Sequence, residues 1–442
     1  MRKLKLINVV LVACVLLFAV GCKEERKEIR IGVVQPQSGM FASFGMSGGF
    51  GVQAAVDDIN KQGGVQVGNE KIPIKLYFVD NESDPNKAGS LAESLITQDN
   101  VKFLVSGDEP PHMHADVSRI ADRYKVPYVT SVGPYESWNA MRKEAPEKWK
   151  YTWASGAVSI ETPVSDPTDF RYQKPGYTVV DTWLSLLRKQ GPQTNKKVAI
   201  FAAADPDGEG WYALFGPIIK KEGYTPIGFD KKLGVVPTET TDFSSLIQEW
   251  KNSGAEILWG NAPGQFFGAL WKQCAAMGFK PKMVDIGRGA LLYNDVAAWG
   301  GDLPRGVGTE MWWDPSFKDS PGIGGTTPQS LAARWKAAKN MPVVPNIGAG
   351  YRSMQVLADA IQRAGSLDSD KVNDALAKTD MKTIASRVKF NADHFNYGPV
   401  MFFGQWFTTD TPDKYELKIV YSANPDFAPA SAQPIFPMQY GK

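Results

Sequence analysis

The 442-residue chain carries 49 basic and 47 acidic residues, a formal charge of +2, and 43% hydrophobic residues, the balance of an ordinary globular protein. Without a basic cluster it offers no electrostatic footprint for nucleic acid. Three histidines and three cysteines leave little material for a multi-metal centre or a disulfide framework.

Arg2, Lys3 and Lys5 form a short positive segment, and Leu6 to Val20 an apolar run. The run is short for a membrane span, which needs roughly 20 residues, and suits the core of a signal peptide. It ends in Ala19-Val20-Gly21-Cys22, small residues ahead of a cysteine, which resembles a bacterial lipobox. Residues 1–21 are therefore expected to be a lipoprotein signal peptide, Cys22 the lipidated residue, and 22–28 a charged tether. The competing reading is an N-terminal anchor helix with an incidental cysteine. Cleavage removes the three basic residues and takes the formal charge from +2 to −1. Cys14 leaves with the signal, so Cys274 cannot form an internal disulfide, and its apolar surroundings predict a buried thiol.

The remaining chain exceeds what one core usually carries, so two lobes are expected. Ile29–Val34 reads as a buried strand, followed by a Gly-rich loop and a helix over Gly49–Asn60 with Val52, Ala55, Val56 and Ile59 on one face. Strands are predicted at Ile72–Val79, Phe103–Ser106 and Pro127–Thr130, with helices at Pro85–Gln98 and around Asp116–Tyr124. Residues 154–176 read as a connection with an insertion. The alternation resumes with strands at Lys197–Ala202, Tyr224–Lys232, Glu256–Trp259 and Met283–Ile286, and helices at Gly210–Gly223, Phe243–Asn252 and Gln265–Met277. Helices follow at Pro328–Lys339, Gly350–Ala364 and Lys371–Lys378, then a β-hairpin from Val400–Phe407 and Tyr415–Tyr421, then an aperiodic Pro-rich tail. Short apolar strands alternating with helices predict α/β lobes, each a doubly wound parallel sheet that binds ligand beyond the carboxyl ends of its strands.

Five blocks, in order, carry a resemblance: Ile29–Val34 with Gln37-Ser38-Gly39 and Ala42–Gly45; Ala54–Asn60 with Gly63-Gly64; Pro127-Tyr128-Val129; Asp205–Gly210; and Phe390-Asn391 with Gly398 and Phe402–Trp406. The chain resembles the substrate-binding lipoproteins of branched-chain amino acid and amide ABC transporters (the Leu/Ile/Val-binding protein family). The resemblance implies the type I periplasmic-binding-protein fold with three interlobe crossings. Lobe 1 would comprise 29–157 and 314–396, and lobe 2 would comprise 158–313 and 397–442. It also implies a small-molecule ligand, an ABC permease as partner, extracytoplasmic placement on a lipid anchor, and hinge closure.

The ligand loops depart from the amino-acid binders. The loop after the third strand, Gly107 to His112, holds no serine, and Pro110 and Pro111 donate no N–H. Ser131, with the amides of Val132 and Gly133, retains donors after the fourth strand. The family's acid for a ligand ammonium falls near Gly287-Arg288, where no acid stands, and Asp207 replaces an aromatic residue. Glu109 or Asp207 is then the candidate for a cation and Arg288 for an anion. Trp138, Trp153, Trp211, Trp259, Trp312 and Trp313 fall near predicted strand ends, where they read either as faces for a flat apolar ligand or as packing. The candidate ligand contacts are Phe44, Glu109, Pro111, His112, Ser131, Val132, Gly133, Trp153, Asp207, Asn261, Arg288 and Trp313. An amino acid or an aromatic or apolar acid is the expected ligand.

No G-x-S-x-G, phosphate loop or dinucleotide fingerprint occurs, so neither an enzyme nor a cofactor is expected. His112-Met113-His114-Ala115-Asp116 has the H-x-H-x-D spacing of some two-metal hydrolases, but the only other histidine is His394. A metal-dependent hydrolase using His112, His114 and Asp116, and a ligand-sensing receptor lobe, are the two alternatives.

Overall fold

The computed structural model describes residues 27–131, 142, 145, 149–156, 179–396 and 401–440. The signal segment, Cys22, Val132, Gly133, Trp138 and most of the 154–176 connection lie outside the described residues.

The chain opens with β1 (Ile29–Gln35) and α1 (Ala42–Lys61). A two-stranded ribbon of β2 (Val65–Val67) and β3 (Glu70–Ile72) leads into β4 (Ile74–Asp80). The single strand expected at Ile72–Val79 is split because Pro73, which cannot donate to a ladder, separates β3 from β4. Next come α2 (Pro85–Thr97), capped by the Asp84 carboxylate accepting from Asn86 N, and β5 (Phe103–Val105). A 3-10 turn at Pro111–His114 runs into α3 (Ala115–Tyr124), followed by β6 (Tyr128–Thr130) and β7 (Thr152–Ala154). These strands form one all-parallel sheet in the order β4-β1-β5-β6-β7.

A second unit repeats the plan. It contains α4 (Val179–Gln190), β8 (Lys197–Ala203), α5 (Pro206–Lys221), β9 (Thr225–Pro226), β10 (Val235–Val236) and α6 (Ser244–Asn252). It continues with β11 (Ile257–Ala262), α7 (Gly264–Ala276), β12 (Met283–Arg288), α8 (Tyr293–Ala297) and β13 (Gly308–Met311). The strand expected over Tyr224–Lys232 is only two residues long. Pro226 withholds its N–H, and Gly228, at φ 68°, turns the chain into a 3-10 segment at Phe229–Lys231.

The chain then returns to the first unit with α9 (Pro328–Lys339), α10 (Asn346–Ala364), α11 (Ser369–Ala377) and the ribbon of β14 (Asp380–Thr383) and β15 (Ser386–Lys389). A bridge between Ala154 and Phe395 ties this return to the end of β7. The expected hairpin is β16 (Phe402–Thr408) with β17 (Tyr415–Ser422). It adds to the second sheet by antiparallel pairing of β16 with β13, giving the order β10-β8-β11-β12-β13-β16-β17. The second lobe is thus a parallel sheet with an antiparallel edge rather than purely parallel. The chain passes between the two sheets three times, and two of those passages run through segments outside the described residues.

Both parallel sheets reverse strand order beside their first strand, between β1 and β5 and between β8 and β11. Ligands of open α/β sheets bind at such switch points, beyond the strands' carboxyl ends. Among the described residues, the most extensive helix contact is α1 against α10. Glycines make it possible. A Cβ on Gly350 would sit 1.9 Å from the Gly48 carbonyl oxygen, and one on Gly51 would sit 2.1 Å from that of Ile347. Gly350→Ala gains about 1 kcal/mol of helix propensity but forces the helices apart, at the upper end of the roughly 1–3 kcal/mol of overpacking. We expect a net loss of about 1–2 kcal/mol, measured as a lower urea midpoint at unchanged m-value.

Candidate functional site

The carboxyl end of each strand delivers polar residues to the gap between the sheets. In the first lobe the Gln35 amide donates to the Gly45 carbonyl (2.9 Å), and Asp80 accepts from Gln37 N (2.8 Å) and Ser38 Oγ (2.7 Å), which fixes the Gly-rich loop ahead of α1. Phe44 lies edge-on to Phe41 (6.1 Å), and Phe41 edge-on to His112 (5.7 Å), so Phe44, Pro111 and His112 share one corner. The 3-10 turn carrying Pro111 and His112 packs on α5, in the other lobe. Burial pushes His112 down to about 4, and the charges of Asp205 and Arg288 act on it from across the gap. The ring is neutral at pH 7, and its Nδ1 has no hydrogen-bond partner. A second link runs from Ser43 Oγ to Asp295 Oδ1 (3.3 Å) on α8.

In the second lobe three strand ends converge on Arg288, which is buried and holds a left-handed backbone, φ 56°. Its Nη1 and Nη2 donate to the two oxygens of Asp205, at 3.0 Å each, in a bidentate pair. Its Nε donates to Asn261 Oδ1 (2.9 Å) and lies 2.8 Å from Asp207 Oδ2. Asn261 Nδ2 closes the ring by donating to Asp207 (3.2 Å). Burial favours the protonated form of both acids. Arg288 outweighs it at Asp205, held below the usual carboxylate range, but not at Asp207, which stays above it. Glu310, on β13, is pushed up to about 7 by burial and further by Asp207.

Several expectations need correction. Arg288 is already saturated by Asp205, Asp207 and Asn261, so its fork is not open to a ligand anion. Glu109 points into lobe 1 rather than at a ligand cation. Its carboxyl faces His114 Nδ1 (3.6 Å) and Asn81 Nδ2 (3.4 Å), and burial pushes it up to about 8. Trp153 stacks on His394 (3.6 Å) and donates to Asn373 Oδ1 (2.8 Å), while Trp313 donates to the Ile384 carbonyl (3.0 Å). Both rings are packing, not ligand faces. Trp211 and Trp259 likewise belong to a buried cluster with Trp183 and Phe215. The H-x-H-x-D residues diverge: His112 faces lobe 2, His114 accepts from Tyr128 O–H (2.7 Å), and Asp116 pairs with Arg119. No set of three His, Cys, Asp or Glu among the described residues is arranged to hold a metal ion.

The sequence reading missed Arg352. Fully buried on α10, it donates from Nη2 to Ser131 Oγ (3.0 Å) and, at 3.4 Å, from Nη1 to the Ala385 carbonyl. Its Nε has no partner. The same region holds Asp108, whose Oδ2 is unpartnered, and Trp312, which contacts that carboxyl. The available signal was a lone arginine, the one charged residue in the stretch Ile347–Leu357.

The periplasmic binding protein family model matches residues 28–411. Leu/Ile/Val-binding protein homolog 3 of Brucella melitensis is 27% identical over 391 residues, covering 87% of this chain and 91% of its own. A branched-chain amino acid transporter substrate binding protein from Streptococcus pneumoniae, solved with isoleucine, superposes with TM-score 0.65 at 19% identity, covering 89% of this chain and 100% of that one. A solute-binding protein of an ABC transporter from R. palustris, solved with 4-hydroxybenzoate, gives TM-score 0.65 at 18% identity, covering 90% and 96%. No helix of the described residues is long and apolar enough to cross a membrane.

Two outcomes follow from the electrostatics. Arg288→Ala strands Asp205 and Asp207 against each other and should cost about 3–5 kcal/mol, read from chemical unfolding. The pH dependence has a definite sign. Glu109 and Asp285, both pushed up to about 8 by burial, keep protons in the native state that the unfolded chain releases above about pH 4. Their stabilisation is therefore lost as pH rises toward 8. His112 and His114, pushed down to about 4 and about 3, oppose this only below about pH 6.5. The urea midpoint should fall between pH 6.5 and 8.5, and Glu109→Gln should flatten the fall.

Proposed function

Since the chain belongs to the periplasmic binding protein family, a family of solute-binding proteins rather than enzymes, we propose that it is the extracytoplasmic solute-binding component of an ABC importer. In this reading lobe 1 (29–157 and 314–396) and lobe 2 (158–313 and 397–442) close on a small carboxylate ligand and present it to a membrane permease. Cys22 carries the lipid that tethers the protein to the membrane.

The observation that carries the reading is the confrontation of the two sheets' carboxyl ends at their switch points. His112 of one lobe feels the charges of Asp205 and Arg288 of the other, and Ser43 of the first lobe meets Asp295 of the second. A site assembled from two lobes is complete only when they approach, which couples ligand capture to closure.

The ligand class is the finer step. Isoleucine and 4-hydroxybenzoate, found in the two fold neighbours, share a carboxylate and little else. The first-lobe wall supports such a ligand with the Ser131 hydroxyl and a buried guanidinium behind it. A separate groove of about 540 Å3, lined by Gln37, Ser43, Met46, Asn294 and Lys339 among others, includes none of Asp108, His112, Arg288 or Arg352 and is not the proposed site.

The test is a thermal-shift screen of the purified protein with aliphatic amino acids, aromatic acids, dicarboxylates and the corresponding amides. A carboxylate at 100 times its dissociation constant should stabilise the fold by about 2.7 kcal/mol. Shifts with amides alone would reject the carboxylate ligand, and no shift with any compound would reject solute capture itself.

A further inference from the structure

Two arginines lie buried at the strand ends, and their surroundings differ in kind. Arg288 is neutralised by two carboxylates and an amide, every one within 3.0 Å. Arg352 is equally buried but is held only by neutral oxygens, the Ser131 hydroxyl at 3.0 Å and a long contact to the Ala385 carbonyl. Among the described residues no carboxylate forms an ion pair with it, and Asp108 acts on it through space. Its Nε has no acceptor. Leaving a buried charge so poorly matched is expensive, and an anion entering from the cleft would supply the missing match.

The position is also right. Ser131 follows β6 and Asp108 follows β5, so the guanidinium lies at the carboxyl edge of the first sheet, where ligands of this architecture bind. Gly156, just past β7, leaves the room: a Cβ there would fall 2.1 Å from Nη2. Asn346, in the first turn of the same helix, is fully buried with both side-chain polar atoms unpartnered. Pro110 and Pro111, meanwhile, supply no N–H from the loop after β5. A ligand anion at this edge finds fewer backbone donors in that loop, and the Arg352 Nε on α10 is an unpartnered side-chain donor.

We propose that Arg352 is the carboxylate-recognising residue of the cleft, its Nε–Nη2 edge engaging the ligand's carboxylate while the Ser131 hydroxyl holds the guanidinium in plane. Arg288, by contrast, is a structural brace of lobe 2. The proposal rests on the solute-binding reading above and narrows it to anionic ligands recognised by a planar fork.

The experiment is calorimetric titration of L-leucine, L-isoleucine, 4-hydroxybenzoate and their carboxamides into the parent protein, Arg352→Gln and Arg352→Lys, with circular dichroism to establish folding. The acid that the parent binds should bind Arg352→Gln roughly ten- to hundred-fold more weakly, the range for a lost charge-assisted bond. Its carboxamide should bind parent and variant alike. Arg352→Lys keeps the buried charge, and with it the fold, but loses the fork, and should show the same direction with a smaller loss. A folded variant of either kind that binds the acid like the parent overturns the assignment of Arg352 while leaving solute capture in place. Equal loss of acid and amide binding also overturns it, because it marks a general packing role. If the parent binds none of these acids, both the carboxylate reading and the role of Arg352 fall.

Discussion

Taking a guanidinium out of water is costly unless its charge and its N–H groups are matched, because the desolvation penalty for an ion runs to several kcal/mol. At Arg288 that constraint organises a whole wall of the cleft. Asp205 comes from the turn after β8, Asp207 from the first turn of α5, and Asn261 from the end of β11. The left-handed backbone at Arg288, unusual for a side chain of this size, is the strain accepted to turn the arginine back over its neighbours. Asp205 does double duty, since its Oδ1 also accepts from Gly208 N and caps α5. Strand ends, helix start and backbone strain are joined in one hydrogen-bonded network.

The opposite wall is built on steric grounds instead. Gly48, Gly51 and Gly350 let the backbones of α1 and α10 touch, and Gly45 lets α1 lie against the Pro36 carbonyl. Two residues beyond Gly350, Arg352 is thereby driven into the end of the first sheet. The close approach fixes where the guanidinium goes, but it provides no counter-ion. One wall thus has its charge internally balanced, and the other carries an unbalanced one.

The parallel sheets were legible in the sequence because buried parallel strands such as Ile29–Val34 and Lys197–Ala202 are continuous apolar runs. β13 was not, since Gly308-Thr309-Glu310-Met311 offers no such run and is a strand only through its place between β12 and β16. The candidate site was legible by position and not by role. His112, Asp207, Asn261 and Arg288 do meet at the facing edges, as strand-end reasoning expects. Which of them are free to bind depends on pairing across 54 and 83 positions of sequence, as between Asn261 and Asp207 and between Arg288 and Asp205. Trp153 and Trp313 misled because a tryptophan near a strand end looks the same whether its N–H faces a cleft or, as here, an internal acceptor.

Closure itself is shaped by what is neutral. His112, which faces the second lobe, carries no charge at pH 7, so bringing it toward Asp205 and Arg288 buries no new ion. Asp205 and Arg288 are paired with each other within the second lobe. That pairing offsets part of the desolvation that usually opposes the meeting of two polar surfaces. What is left uncompensated is concentrated at Arg352. If Arg352 takes the ligand's carboxylate as proposed, the anion acts on closure only as far as it binds the closed state more tightly than the open one. A ligand can shift a conformational equilibrium only by that difference, and the placement of one poorly matched charge in otherwise balanced surroundings is a direct way to provide it.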